Sequence, residues 1–163
     1  MLNATVLWQM WKLTKDPFDL GLGGLAQFAP FFALFLISGV VADRFQRKRI
    51  IALCSIAMTV VAVGLFMITL ADIASPTTIL PLLVIVGIAR AFQAPAQNAI
   101  VPILVPKQHF ANAISWSATA TYIARIGGPA FMAGLLVLGI DVVYAVTIGF
   151  FIVSSLLTFL IRT

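Results

Sequence analysis

The sequence predicts an all-α protein that lies within a membrane. Hydrophobic residues make up 62% of its 163 residues and charged residues only 9%, too few charges to cover the surface of a soluble domain of this size. The apolar residues also form runs of roughly 20, about the length that one helix needs to cross a hydrocarbon core of about 30 Å. Membrane lipid is therefore the expected surrounding of most of the chain.

Polar turns and prolines divide the chain into six helical segments of one bundle, residues 1–163. The first apolar stretch is too short to span a bilayer, and we interpret it as the end of a helix whose beginning is absent. The other five segments are complete spans, since glycine and proline are tolerated in membrane helices. The segments are residues 1–15, 18–41, 50–71, 77–98, 110–139 and 142–161.

The positive charge of the chain predicts its orientation. The net charge is +5, but four of the ten cations lie in one loop, at residues 42–49. Such clustering is typical of cytoplasmic loops and not of a basic face that binds nucleic acid. Asp72 and Asp141 stand alone in the intervening turns, and Arg162 follows the last span. Loop 42–49 and the carboxyl end are therefore expected in the cytoplasm, and no nucleic acid is expected as a partner.

The titratable residues do not predict an enzyme. Hydrolysis within a membrane needs a Ser-His pair, two facing Asp residues or a set of metal ligands. The chain has one histidine, His109, one cysteine, Cys54, no Glu, and five Asp residues that all lie at span edges. We therefore predict no catalytic residues, no metal site and no cofactor.

Arg90 is a cation inside the fourth predicted span. It lies about 13 residues, or roughly 20 Å, beyond Thr77, which places it past the midplane on the cytoplasmic side. A cation at such a depth costs about 2.5–3.5 kcal/mol unless it is paired or hydrated. Snorkelling to the cytoplasmic surface is the structural explanation, and a functional role is the alternative.

Arg125 lies near the middle of the fifth span, roughly 16 Å beyond Ile114. No acid of this chain stands at a matching depth. Either its partner lies outside this chain, or Arg125 faces a hydrated cavity in which an anionic group of a small-molecule substrate binds, and both explanations stay open. Tyr122 and Thr119 belong to a polar track on the same side, so the three residues are candidates for the substrate pathway.

The segment from Gly39 to Arg49 resembles the loop between the second and third helices of major facilitator superfamily transporters. Both have a glycine, three residues, Asp-Arg and then a basic cluster. A second glycine usually follows in that family, and Gln46 stands in its place. Arg90 is similar to an arginine in the family's fourth helix, with Asp43 as its candidate partner. The resemblance implies gating or conformational coupling by Gly39, Asp43, Arg44, Arg47, Lys48 and Arg90.

The residues from Arg125 to Pro129, with Gly134 beyond, resemble the fifth-helix motif of the same superfamily. That motif implies a helix that packs on the other half of the transporter, through Gly127, Gly128, Pro129 and Gly134, and it is commonest in exporters that exchange substrate for protons. The stretch from Arg90 to Gly134 is similar to the branch that contains siderophore exporters and drug-efflux proteins.

The resemblance as a whole implies the six-helix amino-terminal half of a 12-helix fold, with an incomplete first helix. The expected protein is a secondary exporter of a siderophore or drug in the bacterial inner membrane. It would work by alternating access with the missing carboxyl-terminal half and use a proton gradient. No residue of this chain is a convincing proton carrier. The alternative is a half-size or non-transporting membrane protein that acts through helix–helix association.

Overall fold

The structure is a computed structural model that describes the backbone of residues 1–160, and side chains within it except those of residues 42, 43, 101–104 and 107. The described chain folds into six α-helices and one short 3-10 helix at Lys107–His109, with no strand in the described range. The α-helices are α1 (Leu2–Thr14), α2 (Pro17–Arg44), α3 (Arg47–Leu70), α4 (Pro76–Leu104), α5 (Phe110–Leu136) and α6 (Ile140–Leu160).

Four of these helices are long and apolar enough to cross a membrane. The crossing segments are Pro17–Val41, Arg47–Leu70, Pro76–Ile100 and Ile140–Leu160. Helix α5 has 27 residues, which is also long enough, but hydroxyl residues and Arg125 make it less apolar. The predicted all-α membrane fold is confirmed.

The helices differ in length from the predicted segments. Helix α4 continues to Leu104, past its expected end at residue 98, so it contains both Pro95 and Pro102. Each proline removes only one backbone hydrogen bond, a loss that membrane helices tolerate. As a result, Arg90 is the central residue of the 29-residue helix, while it lies slightly past the middle of the apolar crossing segment Pro76–Ile100.

The basic loop is also shorter than predicted. Helix α2 runs to Arg44 and α3 begins at Arg47, so only Phe45 and Gln46 connect them. Arginine and lysine are good helix formers, and the helices therefore extend into most of residues 42–49. At the opposite end of the bundle, α5 ends at Leu136, three residues before the predicted end at residue 139. The turn before α6 contains Gly139 at φ 118°, a conformation that glycine adopts without strain.

Local capping explains where α2 and α4 begin. The Asp16 carboxylate accepts a hydrogen bond from the Phe18 N–H over 2.8 Å, and Pro17 occupies the first turn. Ser75 and Thr78 form a capping box at the start of α4. These side chains satisfy backbone N–H groups that a helix start leaves unpaired. We call this side of the bundle, with the α1–α2 and α3–α4 turns, the turn end.

The core lies where α1, α3, α4 and α6 meet. Helix α3 packs on both α4 and α6, and α2 packs mainly on α4. The largest fully buried apolar side chains are Val6, Met10, Val61, Leu65, Ile79, Leu83, Val86, Val143 and Tyr144. Helix α5 differs from the others, because Met132 is its only residue that is buried within the described structure. This loosely held helix leaves an open space between α1, α4 and α5.

Helices α2 and α4 approach each other closely at Gly87. A Cβ built on Gly87 would overlap the Gln27 carbonyl oxygen and would lie 2.7 Å from Cγ of Pro30. Any larger residue would push the two helices apart. The glycine therefore sets the spacing of α2 and α4 one turn before Arg90.

Candidate functional site

A cavity of about 810 Å³ lies between α1, α4 and α5. Its polar lining residues come from the middle of the bundle. The lining consists of Met1, Asn3, Ala4, Phe31, Arg90, Gln93, Ala94, Gln97, Thr121, Ala124, Arg125 and Pro129. We call this space the central cavity. Its volume falls within the range of about 300–1,000 Å³ that is typical of small-molecule sites.

Helix α4 contributes a polar stripe to the central cavity. Arg90, Gln93 and Gln97 follow one another at helical spacing and therefore share one face. By the same helical spacing, Leu83 and Val86 precede these residues on that face, and both are fully buried in the core. The face is therefore apolar toward the start of α4 and becomes polar from Arg90 onward, where it borders the central cavity.

Helix α5 contributes Thr121 and Arg125, which are one helical turn apart. Both residues also border a second cavity of about 410 Å³, which Asn98, Ser117 and Tyr122 help to line. The Thr121 hydroxyl donates a hydrogen bond of 2.8 Å to the Ser117 carbonyl of its own helix, so its hydrogen is already used and its lone pairs are available. The two cavities adjoin at Thr121 and Arg125 and form a polar groove between α4 and α5.

Arg90 stands where three spaces meet. It borders the central cavity, a smaller cavity toward Phe28 on α2, and another toward Phe131 on α5. Its side chain is exposed, as is that of Arg125. No Asp or Glu is among the described residues that line the central cavity. The structure thus brings two cations, predicted for separate tasks, to one cavity with no described acid beside them.

Asn3 adds an unsatisfied acceptor at the border of this site. It lines the central cavity and the smaller cavity toward Phe28. Its Oδ1 atom is buried, and it has no hydrogen-bond partner within the described residues. A buried acceptor without a partner costs about 1–3 kcal/mol. A donor from a water or a bound molecule would remove this cost.

The predicted substrate-pathway residues are only partly together. Arg125 and Tyr122 line the groove, whereas Thr119 is not among the described lining residues, and its hydroxyl donates to the Ser115 carbonyl over 2.8 Å. Gln93, Gln97, Asn3 and Thr121 were missed. The sequence did contain a signal for the two glutamines, because they follow Arg90 at helical spacing. Asn3 had none, because its neighbours are distant in sequence.

The basic segment lies at the other side of the bundle from the turn end. The Arg47 guanidinium donates a hydrogen bond of 3.1 Å to the Ala99 carbonyl and so links α3 to α4. A Cβ on Gly39 would meet no described atom within 4 Å. The Asp43 side chain lies outside the described residues, so its pairing with Arg90 stays a prediction. Phe31 of α2 lines the central cavity. Asp43 lies twelve positions further along the same helix, or about 18 Å along its axis.

The glycines of α5 lie beside space that this chain leaves open. A Cβ on Gly127 or Gly134 would meet no described atom within 4 Å, whereas one on Gly128 would lie 3.3 Å from the Met1 nitrogen. Pro129 borders the central cavity. The surface near Gly127 and Gly134 can therefore admit a close neighbour.

Comparison with known proteins identifies the family of this membrane bundle. The family model described as transmembrane secretion effector matches residues 1–162. The chain belongs to this family of MFS transporters. Its membership confirms the resemblance that the loop segment and the fifth-helix residues had indicated. No solved structure matches the chain significantly.

Curated relatives of this chain include a macrolide efflux protein and two uncharacterized MFS-type transporters. It is 26% identical over 153 residues to macrolide efflux protein A of Streptococcus pyogenes, covering 90% of the chain and 38% of that protein. It is 31% identical over 149 residues to the uncharacterized MFS-type transporter YkuC of Bacillus subtilis, covering 90% and 34%. The corresponding values for YfiS of the same organism are 26% over 153 residues, 91% and 34%. The chain thus spans about a third of the length of these relatives.

Proposed function

We propose that this chain forms the amino-terminal half of a secondary transporter that exports a small molecule by alternating access. The observation that carries the proposal is the central cavity, which gathers Arg90 and Arg125 at the middle of helices from a transporter family. In alternating access, two six-helix halves rock about a site near the membrane midplane. Both arginines lie near the middle of their helices.

The open side of the bundle fits this mechanism. Helix α5 is exposed along most of its length, and space is free beside Gly127 and Gly134. Small residues let helices approach closely in membranes. The carboxyl-terminal half of the same protein would pack here and close the central cavity on its exposed side.

The proposed energy source is the proton gradient, and the proposed location is the bacterial inner membrane. The positive-inside rule supports a cytoplasmic position for the basic residues 44–49. Asp16, Asp19, Asp72 and Asp141 lie in turns or first helical turns, far from the central cavity. With Asp43 assigned to gating, a proton carrier would lie in a part of the transporter beyond this chain.

The proposed cargo is a siderophore or a lipophilic drug. The macrolide efflux relative supports the drug, and the resemblance of the stretch from Arg90 to Gly134 supports the siderophore. Neither cargo requires catalysis, so we propose no enzymatic activity.

Export can be measured in a bacterial host that lacks its own efflux pumps and expresses the protein as its gene encodes it. Cells would be loaded with a panel of macrolides, other drugs and an iron-free siderophore. We expect cells with the protein to accumulate less of at least one compound than cells without it. An uncoupler should raise the accumulation of that compound to the level of cells without the protein. Equal accumulation of every compound with and without the protein would contradict export. Export that survives the uncoupler would contradict proton coupling alone.

A second arrangement is a half-size transporter in which two copies of the chain pair. The exposed α5 surface favours it, because this surface needs a partner of some kind. Native mass spectrometry of the protein in lipid nanodiscs distinguishes a pair of half-size chains from a transporter with two halves in one chain. A single copy of a longer protein supports the two-half transporter, and two copies of a six-helix protein support the pair.

A further inference from the structure

We infer that Arg90 and Arg125 form one binding site for an organic anion with an aromatic body. This assigns a charge class to the cargo and rests on the proposed export function. The inference starts from the central cavity, to which the two cations come from different helices, α4 and α5.

The charges need a partner that the described residues do not supply. Two guanidinium groups that border one cavity repel each other, and both are exposed in this half of the bundle. Both would lose hydration when the carboxyl-terminal half of the proposed transporter closes over the cavity. Arginine keeps its charge, so neither group can escape the cost by losing a proton. The described lining residues of the central cavity include no Asp or Glu. A bound anion would offset both the repulsion and the lost hydration.

The other polar groups of the cavity suit an anion of some size. Gln93 and Gln97 stand on the same face of α4 as Arg90, and their amide N–H groups can donate hydrogen bonds beside it. Guanidinium groups recognise planar oxyanions through paired hydrogen bonds. Carboxylate, sulfonate and phosphate groups share this chemistry.

Aromatic walls adjoin the charged centre. Phe31 of α2 lines the central cavity, and the space beside Arg90 continues to Phe28 on one side and to Phe131 on the other. Phe28 itself stacks on Phe32 with ring centroids 5.8 Å apart. Rings of this kind bind flat apolar groups by stacking. The site therefore fits a molecule with a negative group at one end and an aromatic body at the other.

A matched set of three probes tests the charge class. Naphthalene-2-sulfonate is the anion, naphthalene-2-sulfonamide is neutral, and N,N,N-trimethyl-2-naphthylammonium is the cation. Calorimetry would measure their binding to the protein, as its gene encodes it, in lipid nanodiscs. Arg90→Gln and Arg125→Gln remove one charge each. Arg49→Gln makes the same change at an exposed position outside the cavity and is the control.

We expect the sulfonate to bind more tightly than the other two probes. Each cavity variant should weaken its binding by roughly tenfold to a hundredfold, the range of a charge-assisted hydrogen bond, and Arg49→Gln should leave it unchanged. Arg90→Lys and Arg125→Lys keep the charge and should retain part of the affinity. Circular dichroism checks that every variant remains helical.

The results also separate this inference from the export function. No measurable sulfonate binding, equal binding of all three probes, or sulfonate binding unaffected by Arg90→Gln and Arg125→Gln overturns the anion site. Transport of the neutral or cationic probe would then still support export. Arginine-dependent sulfonate binding with no movement of the sulfonate or any drug across proteoliposome membranes supports the anion site and contradicts the exporter.

Discussion

The Tyr144 hydroxyl donates a hydrogen bond of 2.5 Å to Oε1 of Gln9, across 135 positions of the chain. The Gln9 amide continues the network, because its Nε2 donates to the Thr69 hydroxyl over 2.9 Å, and that hydroxyl donates to the Leu65 carbonyl over 2.7 Å. Tyr144 and Gln9 are both buried. The network joins α1, α3 and α6 near the turn end, and it satisfies polar groups that lipid would leave unpaired.

Replacement of Tyr144 by Phe should destabilise the bundle. The change removes the hydroxyl and leaves Oε1 of Gln9 buried without its donor, at a cost of roughly 1 kcal/mol. Thermal unfolding in nanodiscs, followed by circular dichroism, measures the effect. Tyr122→Phe is the control, since Tyr122 is exposed. Equal unfolding temperatures for the two variants would show that the network adds no stability.

Gly87→Ala should disturb the packing of α2 on α4. The new Cβ would overlap the Gln27 carbonyl, which belongs to a rigid helix backbone, and overpacking of this kind costs about 1–3 kcal/mol. Gly64→Ala is the matched control, because its Cβ would lie 3.6 Å from a flexible Leu82 side chain. The yield of monodisperse protein after detergent extraction measures the difference. Similar yields would mean that the helices separate at little cost.

Arg125→Ala should abolish export while membrane insertion is preserved. The guanidinium lines the central cavity, and loss of a charge-assisted contact to substrate costs about 1.5–3 kcal/mol, or at least tenfold in transport rate at low substrate concentration. Drug accumulation in cells and the amount of protein in membrane fractions are measured together. Lys12→Ala, at an exposed position of α1 near the turn end, serves as the control. Unchanged efflux by Arg125→Ala would remove this residue from the site.

Thr121→Val should impair export more than Thr119→Val does. The two substitutions are chemically the same, and both hydroxyls bond to a carbonyl of their own helix. Only Thr121 is among the described residues that line the central cavity, so only its loss changes the polar lining. Accumulation assays at matched expression levels compare the two. A larger effect at Thr119 would favour the polar track expected from the sequence.

Reversal of the charge at Asp43 should impair turnover more than substrate binding. The prediction rests on the gating role that the resemblance of residues 39–49 to the family's loop implies for Asp43. Binding in nanodiscs and transport in proteoliposomes are measured on Asp43→Lys. Asp19→Lys, at the start of α2, is the control for a charge reversal on the same helix. Lost binding with normal cycling would contradict the gating role.

The sequence alone determined the membrane class, the number of helices and the presence of two arginines within long helices. These features are local, because the length of an apolar run and the position of a charge within it are read without knowing which helices become neighbours. The glutamines on the face of Arg90 were also readable in this way, from helical spacing.

Only the tertiary structure decided which side chains meet. It brought Arg90 and Arg125 to one cavity, joined Gln9 to Tyr144, and showed that Gly87 sets the distance between α2 and α4. In a chain that is apolar on every side, lipid and protein neighbours favour nearly the same residues, so the pattern of hydrophobic residues does not tell which face packs inward. Contacts between helices far apart in sequence therefore depend on the packing of the whole bundle.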